Sequence, residues 1–246
     1  MANSTTTDLH VVIVGAGRAG QSFAGALADA GIAVEVLHHG DAALTNAATV
    51  CDVVMICAPD RFVGEVAQRI APGSAVVAHV AGSLGLEVLA PHSRVGSLHP
   101  LMTLPNATVG AAALRSGAYF AVAGDGLLSE LVRLLEGTAL EVGAQVRDLY
   151  HATACIASNH VVALMSQVER CAEACGVPFE AFRRLVLESV ENSFEFGPTQ
   201  ALTGPAARGD VATVERHLVA LPGEEVEPYR CLMNQAVRLA QSPGPR

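Results

Sequence analysis

An α/β fold is what the sequence predicts: a doubly wound, mostly parallel sheet over residues 9–148, followed by a smaller all-α domain over 149–241. Three observations carry this expectation. Short apolar runs alternate with helical patterns through the first part of the chain. The first of those runs opens directly onto a glycine-rich turn. After Asp148 the patterning becomes helical only, beginning with a stretch over 149–175 that holds neither proline nor glycine.

Taken in order, LHVVIV at 9–14 is a β-branched apolar run and reads as a buried strand. The turn Gly15-Ala16-Gly17-Arg18-Ala19-Gly20 follows, and QSFAGALADAG then has the periodicity of a helix stopped by Gly31. IAVEVL at 32–37 is the second strand. Further strands are expected at 53–57, 75–80, 95–98 and 118–123, with helices near 62–70 and 127–136. A last short strand is expected around 143–147. Beyond it, 149–175 is expected as one long helix ending before Gly176-Val177-Pro178. Helical patterns also fill 179–195, 210–221 and 224–241, with a loop from Gly197 to Gly209. About ten flexible residues in front and a disordered SPGPR tail complete the expectation, and no internal repeat is present.

Strand, GxGxxG, helix and strand within about 30 residues form the setting that a dinucleotide fingerprint requires. In such a Rossmann domain the first glycine permits the tight turn and the second lets the backbone approach a pyrophosphate. The third allows close packing of helix on strand. Gly15, Gly17, Arg18, Ala19 and Gly20 are therefore the expected phosphate cradle, with the helix amides and dipole facing the anion. The second strand ends in Val36-Leu37-His38-His39-Gly40-Asp41 and carries no carboxylate at the position that would bind an adenosine ribose. Arg18 with His38 or His39 suits a 2′-phosphate, so NADP (NADPH) is the expected cofactor. NAD is the lesser alternative, through Asp41 folding back onto the ribose.

Composition excludes other chemistries. All 15 basic residues are arginine, which removes Schiff-base chemistry, a phosphate-loop lysine and a lysine base. The net charge of −9, the absence of tryptophan and only 4% aromatic content argue against nucleic-acid binding. No membrane span or secretory signal is read, and a cytoplasmic location is expected. The six cysteines contain no CxxC pair, and the nine histidines no HxxxH or HExxH pattern, so no metal is expected. Free, buried cysteines in a reducing compartment are the expectation.

The chain resembles the superfamily of 6-phosphogluconate dehydrogenase, β-hydroxyacid dehydrogenases, ketopantoate reductase and pyrroline-5-carboxylate reductase. More closely, it is similar to Rossmann-like proteins that carry the C-terminal domain of unknown function numbered 2520. GAGRAG at 15–20, CAPD at 57–60, HVAGSLG at 79–85 and SLHPLMTL at 97–104 carry the resemblance, with YHATACIASNHVVAL at 150–164 and ALTGPAARGDVATVERHL at 201–218. It implies an NADP-linked oxidoreductase fold and pairing of two chains through the helical domain. It also shows a departure. The hydroxyacid dehydrogenases carry a catalytic lysine four residues before an asparagine; here Cys155 stands four residues before Asn159. Lysine-assisted oxidation is thereby set aside, and reduction of an imine or carbonyl is the implied reaction.

The candidate site residues follow from position. His79, Ala81, Gly82 and Ser83 stand at the carboxyl end of the 75–80 strand, where open α/β sheets bind ligands. Ala58, Pro59 and Asp60 hold the same place after the 53–57 strand, and His99 ends the 95–98 strand. Ala58, Pro59, His79 and Gly82 join the cofactor set. His151, Cys155, Ser158, Asn159 and Val162 share one face of the expected long helix by i, i+4 spacing. His151 suits a proton donor or a helix-start contact, and Asn159 suits orienting a carbonyl, an imine or the nicotinamide amide. Cys155 is expected in the core. Ser83 and His99 complete the expected catalytic group, although His99 can equally be a turn residue before Pro100. Ser158 and Arg208 are expected to touch the small-molecule substrate; Arg208 can instead pair with Asp210, itself a candidate N-cap.

The expected function is NADP-dependent reduction of a small imine or carbonyl compound in a cleft between the domains. A sensor or scaffold that binds NADP without turnover is the alternative. A homodimer through the helical domain is expected, since that domain is too apolar to cover itself.

Overall fold

The computed structural model describes residues 9–242. The expected leader and tail therefore lie outside the described residues, apart from Ser242. The chain divides into two compact units, the first running through Ser158 and the second beginning at Asn159.

The first unit holds a seven-stranded sheet of order β2-β1-β3-β4-β5-β6-β7. Strand β1 (His10–Val14) leads into helix α1 (Arg18–Asp29), then β2 (Ala33–Leu37). A single 3-10 turn and the short helix α2 (Ala47–Val50) precede β3 (Val53–Ile56), α3 (Asp60–Arg69) and β4 (Val76–His79). Then come β5 (Val95–Pro100), α4 (Ala107–Leu114), β6 (Tyr119–Gly124), α5 (Leu127–Leu134) and β7 (Thr138–Glu141). All neighbouring strands run parallel except β5 and β6, which are antiparallel. The mostly parallel, doubly wound expectation is what is found.

Burial follows from strand pleating. Val11, Ile13, Val53 and Met55 pack on one face with Phe23, Leu27 and Phe120. Val12, Val14, Val54 and Ile56 pack on the other with Leu44, Val63 and Leu89. Both faces are covered, so these strands read as continuous apolar runs rather than as alternating ones. Helix α4 was given by no apolar pattern; it is an alanine-rich helix laid close against α1 and capped by Asn106, whose side chain accepts from Val109 N at 3.0 Å.

Three expectations need correction. The last strand is Thr138–Glu141, not 143–147; as an edge strand it is mostly exposed and shows no apolar run, whereas 144–146 is a 3-10 turn. The expected single helix over 149–175 is α6 (Arg147–Cys155), a π turn (Ile156–His160) and α7 (Val161–Ala174). A π turn takes up one residue more than an α turn, so the i, i+4 face drawn from His151 to Val162 does not run straight through it. The expected loop from Gly197 to Gly209 contains helices α9 (Pro198–Ala201) and α10 (Gly204–Arg208), both begun by proline in the first turn.

The second unit continues α7 with α8 (Arg183–Glu195), the two short helices just named, α11 (Val211–Ala220) and α12 (Gly223–Gln241). It is all-helical, as expected. No described helix is long and apolar enough to cross a membrane.

Candidate active site

The glycine loop is built by three different constraints. Gly15 has φ +113°, and a Cβ there would stand 2.6 Å from the Cys57 carbonyl oxygen. A Cβ on Gly20 would fall 1.8 Å from the Gly15 carbonyl oxygen, so helix α1 sits against the turn only because this residue has none. Gly17 differs: a Cβ there meets nothing within 4 Å. Its side-chain position is open space in front of the first turn of α1, and no side chain caps that helix. Amides without intrahelical acceptors therefore face an empty approach, the arrangement a pyrophosphate needs.

A cavity of about 500 Å³ continues from this loop. Of the expected cofactor residues, Gly15, Gly17, His38, His39, Ala58 and Pro59 line it, Arg18 and Ala19 lie in the first turn of α1, and His79 and Gly82 are not part of its lining. Phe62, Glu65, Val66 and Arg69 of α3 form a wall that sequence reading missed. Their i, i+3, i+4, i+7 spacing was the signal, since it places all four on one face of a helix beginning at a strand's carboxyl end. The Arg61 guanidinium stacks over the Phe62 ring at 4.7 Å. Asp41 is already engaged: its Oδ2 accepts from His38 N at 2.7 Å and closes the turn after β2. The charged and titratable side chains that line the cavity are His38, His39, Glu65 and Arg69.

At the carboxyl ends of β4 and β5 a second group assembles. His79 and Ser97 are register partners on adjacent strands, and both are fully buried. Ser97 and His99, two apart on β5, point to the same side. Helix α6 meets them with Arg147 and Tyr150, one helical turn apart. Arg147 Nη2 donates to Ser97 Oγ at 3.0 Å, and His99 Nδ1 lies 2.7 Å from the Tyr150 hydroxyl. The His99 and His151 rings stand edge to face with centroids 6.3 Å apart. Gly82 leaves room for both: a Cβ on it would be 2.8 Å from His151 Cδ2 and 2.9 Å from His99 Nε2.

Burial favours the uncharged forms of His79, His99 and Tyr150. Burial, then His151 and Arg147, push His99 down from 6.5 to about 4. Burial also lowers His79, whose Nε2 lies 3.2 Å from Gly85 O and whose Nδ1 has no partner. Burial raises the Tyr150 hydroxyl. A neutral imidazole hydrogen-bonded to a protonated phenol can relay a proton when an acceptor beyond the phenol takes the phenolic one and the ring is reprotonated at its other nitrogen. Tyr150 and Arg147 were missed from sequence because only the packing of α6 on β5 reveals them.

The other expected residues lie as follows. Ser83 donates to Asp60 Oδ2 at 2.6 Å, so its proton is engaged. Cys155, expected in the core, closes α6 and is only half-buried, while Cys57 is the buried thiol, pushed up to about 12 by burial. All six cysteines are free. Ser158 is half-buried in the π turn, and Asn159, which begins the second unit, is exposed. Arg208 ends α10 and is exposed; Asp210 serves as the N-cap of α11, accepting from Thr213 N at 3.1 Å. Among the described residues no His, Cys, Asp and Glu group is arranged to hold a metal ion.

Residues 121–236 match a family described as a domain of unknown function, DUF2520. No curated protein sequence matches the chain. Solved structures share the fold over nearly the full length. A Bacteroides fragilis protein, provisionally described as an NADP oxidoreductase, is 19% identical with a TM-score of 0.78, over 94% of this chain and 98% of that one. An Aspergillus terreus reductive aminase in complex with NADPH4, cyclohexanone and allyl amine has 15% identity and a TM-score of 0.71, over 94% of each chain. The Plasmodium falciparum pyrroline carboxylate reductase with NADP bound has 15% identity and a TM-score of 0.62, over 95% of this chain and 98% of that one.

Proposed function

We infer, for a chain whose residues 121–236 match the DUF2520 family and whose first unit holds a Rossmann sheet, that it is an NADP-dependent oxidoreductase reducing a small imine or carbonyl compound. One observation carries the reading: the open approach at Gly17 continues into a cavity walled by His38, His39 and Arg69. The neighbours solved with NADP or NADPH support the same cofactor. Gly15, Gly17, Arg18, Ala19 and Gly20 hold the pyrophosphate in this reading. His38, His39 and Arg69 receive the 2′-phosphate, and Phe62 and Val66 offer an apolar wall to the adenine. Bound NADPH supplies a hydride.

His99, Tyr150 and His151 supply the proton and the positioned dipoles that reduction of a C=O or C=N bond needs. Asn159 as an orienting group, and Ser158 and Arg208 as substrate contacts, rest on sequence grounds alone. The alternative, a sensor that binds NADP without turnover, rests on the lack of an acid–base pair, and the Tyr150–His99 contact weighs against it. The test is NADPH oxidation by the purified protein with a panel of ketones, aldehydes and cyclic imines. Substrate-dependent oxidation is expected. Tight NADPH binding with no oxidation by any member supports the sensor instead.

A further inference from the structure

Arg147 is an unusual residue to find at this place. It is 4% exposed, yet among the described residues it has no carboxylate partner. Its guanidinium donates to two neutral oxygens, Ser97 Oγ at 3.0 Å and Val142 O at 3.4 Å, and Nη1 has no acceptor. Buried charges are normally paired, because water no longer solvates them. The carboxylates that act on the group, Asp60 and Glu87, are both exposed, and Asp60 accepts from Ser83. The interior behind His79, His99 and Tyr150 therefore carries an uncompensated positive charge.

Resting on the NADP-reductase reading above, we propose that the compound reduced here is a carbonyl passing through an oxyanion, with the Tyr150 hydroxyl as proton donor, rather than a cationic iminium ion. A buried guanidinium raises the energy of a second cation beside it and lowers that of negative charge growing on a carbonyl oxygen, most strongly where water is excluded. The ladder of contacts places Arg147 one helical turn from Tyr150 on α6 and fixes both against β5, through Ser97 and His99. Gly82 packs against His99 and His151 so closely that a Cβ on it would clash with both rings. Burial, then His151 and the same arginine, keep His99 neutral, so it holds the phenol as a hydrogen-bond partner and not as an ion.

The step balances. The carbonyl carbon accepts a hydride supplied by bound NADPH, and the π pair of the C=O bond moves onto oxygen. That oxygen takes the Tyr150 proton. The phenolate recovers a proton from His99 Nδ1 as Nε2 takes one from solvent. The sum is carbonyl, NADPH and one proton giving alcohol and NADP+. Arg147 is a positioning residue in this scheme, acting through charge; Tyr150 is the catalytic one.

The test uses the full chain and begins with NADPH titration, which judges the underlying reading by itself: no NADPH binding ends that reading. The electrostatic premise is then measured without cofactor, by following the histidine ring resonances against pH. In Arg147→Met, His99 should titrate at higher pH than in the parent, while thermal stability is kept or raised because an unpaired buried charge has gone. An unmoved His99, or a variant that unfolds, overturns the premise. Turnover of the NADPH-bound protein is finally compared on aldehydes and ketones against the protonated cyclic imine 1-pyrroline. Carbonyls should be preferred by at least about tenfold in kcat/KM, and Tyr150→Phe should lower kcat on them roughly 10²–10⁴-fold with little change in KM. Faster imine reduction, an unchanged kcat in Tyr150→Phe, or no turnover of either class contradicts the proposal.

Discussion

Gly17 and Gly20 belong to one motif but answer to different demands, and substitution separates them. A side chain at Gly17 enters open space, so Gly17→Val should fold with an unchanged melting curve and lose nucleotide binding. A side chain at Gly20 would collide with the Gly15 carbonyl, so Gly20→Val should lose stability as well, by about 1–3 kcal/mol or more, the usual range for overpacking. Melting curves beside cofactor titrations check both; retained affinity in a folded Gly17→Val protein contradicts the cradle. His99 gives a prediction of another kind. Its usual pKa is 6.5 and its folded value about 4, lowered first by burial and then by His151 and Arg147. Between those values the unfolded chain binds a proton that the folded chain refuses. Stability attributable to His99 therefore falls as pH drops from 6.5 to 4, by at most about 1.4 kcal/mol per pH unit. Denaturant unfolding across that window should be steeper in the parent than in His99→Gln, and equal slopes contradict the placement. The glycines, His38 and His39 were legible because a motif fixes them relative to one strand. Arg147 and Tyr150 were not, since their partners Ser97 and His99 lie far away in sequence.

Among elements, α4 shows what local signals contribute. Its N-terminus is held by Asn106, whose Oδ1 accepts from Val109 N, while Asn106 O lies 3.3 Å from Ser22 Oγ of α1. Asn106→Ala should cost about 1 kcal/mol of stability, the typical loss of a cap, with NADPH affinity kept; equilibrium unfolding in urea measures it. An unchanged midpoint would mean that α4 is held by packing alone. Gly25 and Gly110 let α1 and α4 lie this close, since a Cβ on either would meet Ala111 Cβ at 3.0 Å or Ser22 Oγ at 2.1 Å. Small residues bury without a strong amphipathic stripe, which is why the pattern of apolar residues gave no helix here. Strand β7 escaped for the opposite reason. At the sheet edge its side chains are mostly exposed, and burial no longer writes a hydrophobic run into the sequence. The π turn at Ile156–His160 has no composition of its own; a continuous helical pattern reads the same with or without it.

The two units differ most in how much they bury. The first has apolar layers on both faces of its sheet. In the second, the described buried residues are Ala172, Ala206 and Glu225, while Phe194 is 86% and Val219 88% exposed. Leu185, Leu187 and Val162 are exposed as well. So much unpartnered apolar surface on one unit is expected to be covered by a second copy of this chain. Light scattering should then give twice the chain mass at micromolar concentration, and Phe194→Glu with Val219→Glu should shift it towards the monomer. A monomeric parent contradicts the expectation. Composition suggested this excess, because the chain as a whole is 51% apolar and a small helical part encloses proportionally less of its surface. The proposed chemistry of the whole molecule depends on its nucleotide. Titration of the purified chain with NADPH and with NADH, by calorimetry, tests it most directly. Asp41 is turned into its own loop and His38, His39 and Arg69 line the cavity, so NADPH should bind more tightly than NADH. Tighter binding of NADH, or no binding of either, would contradict the account.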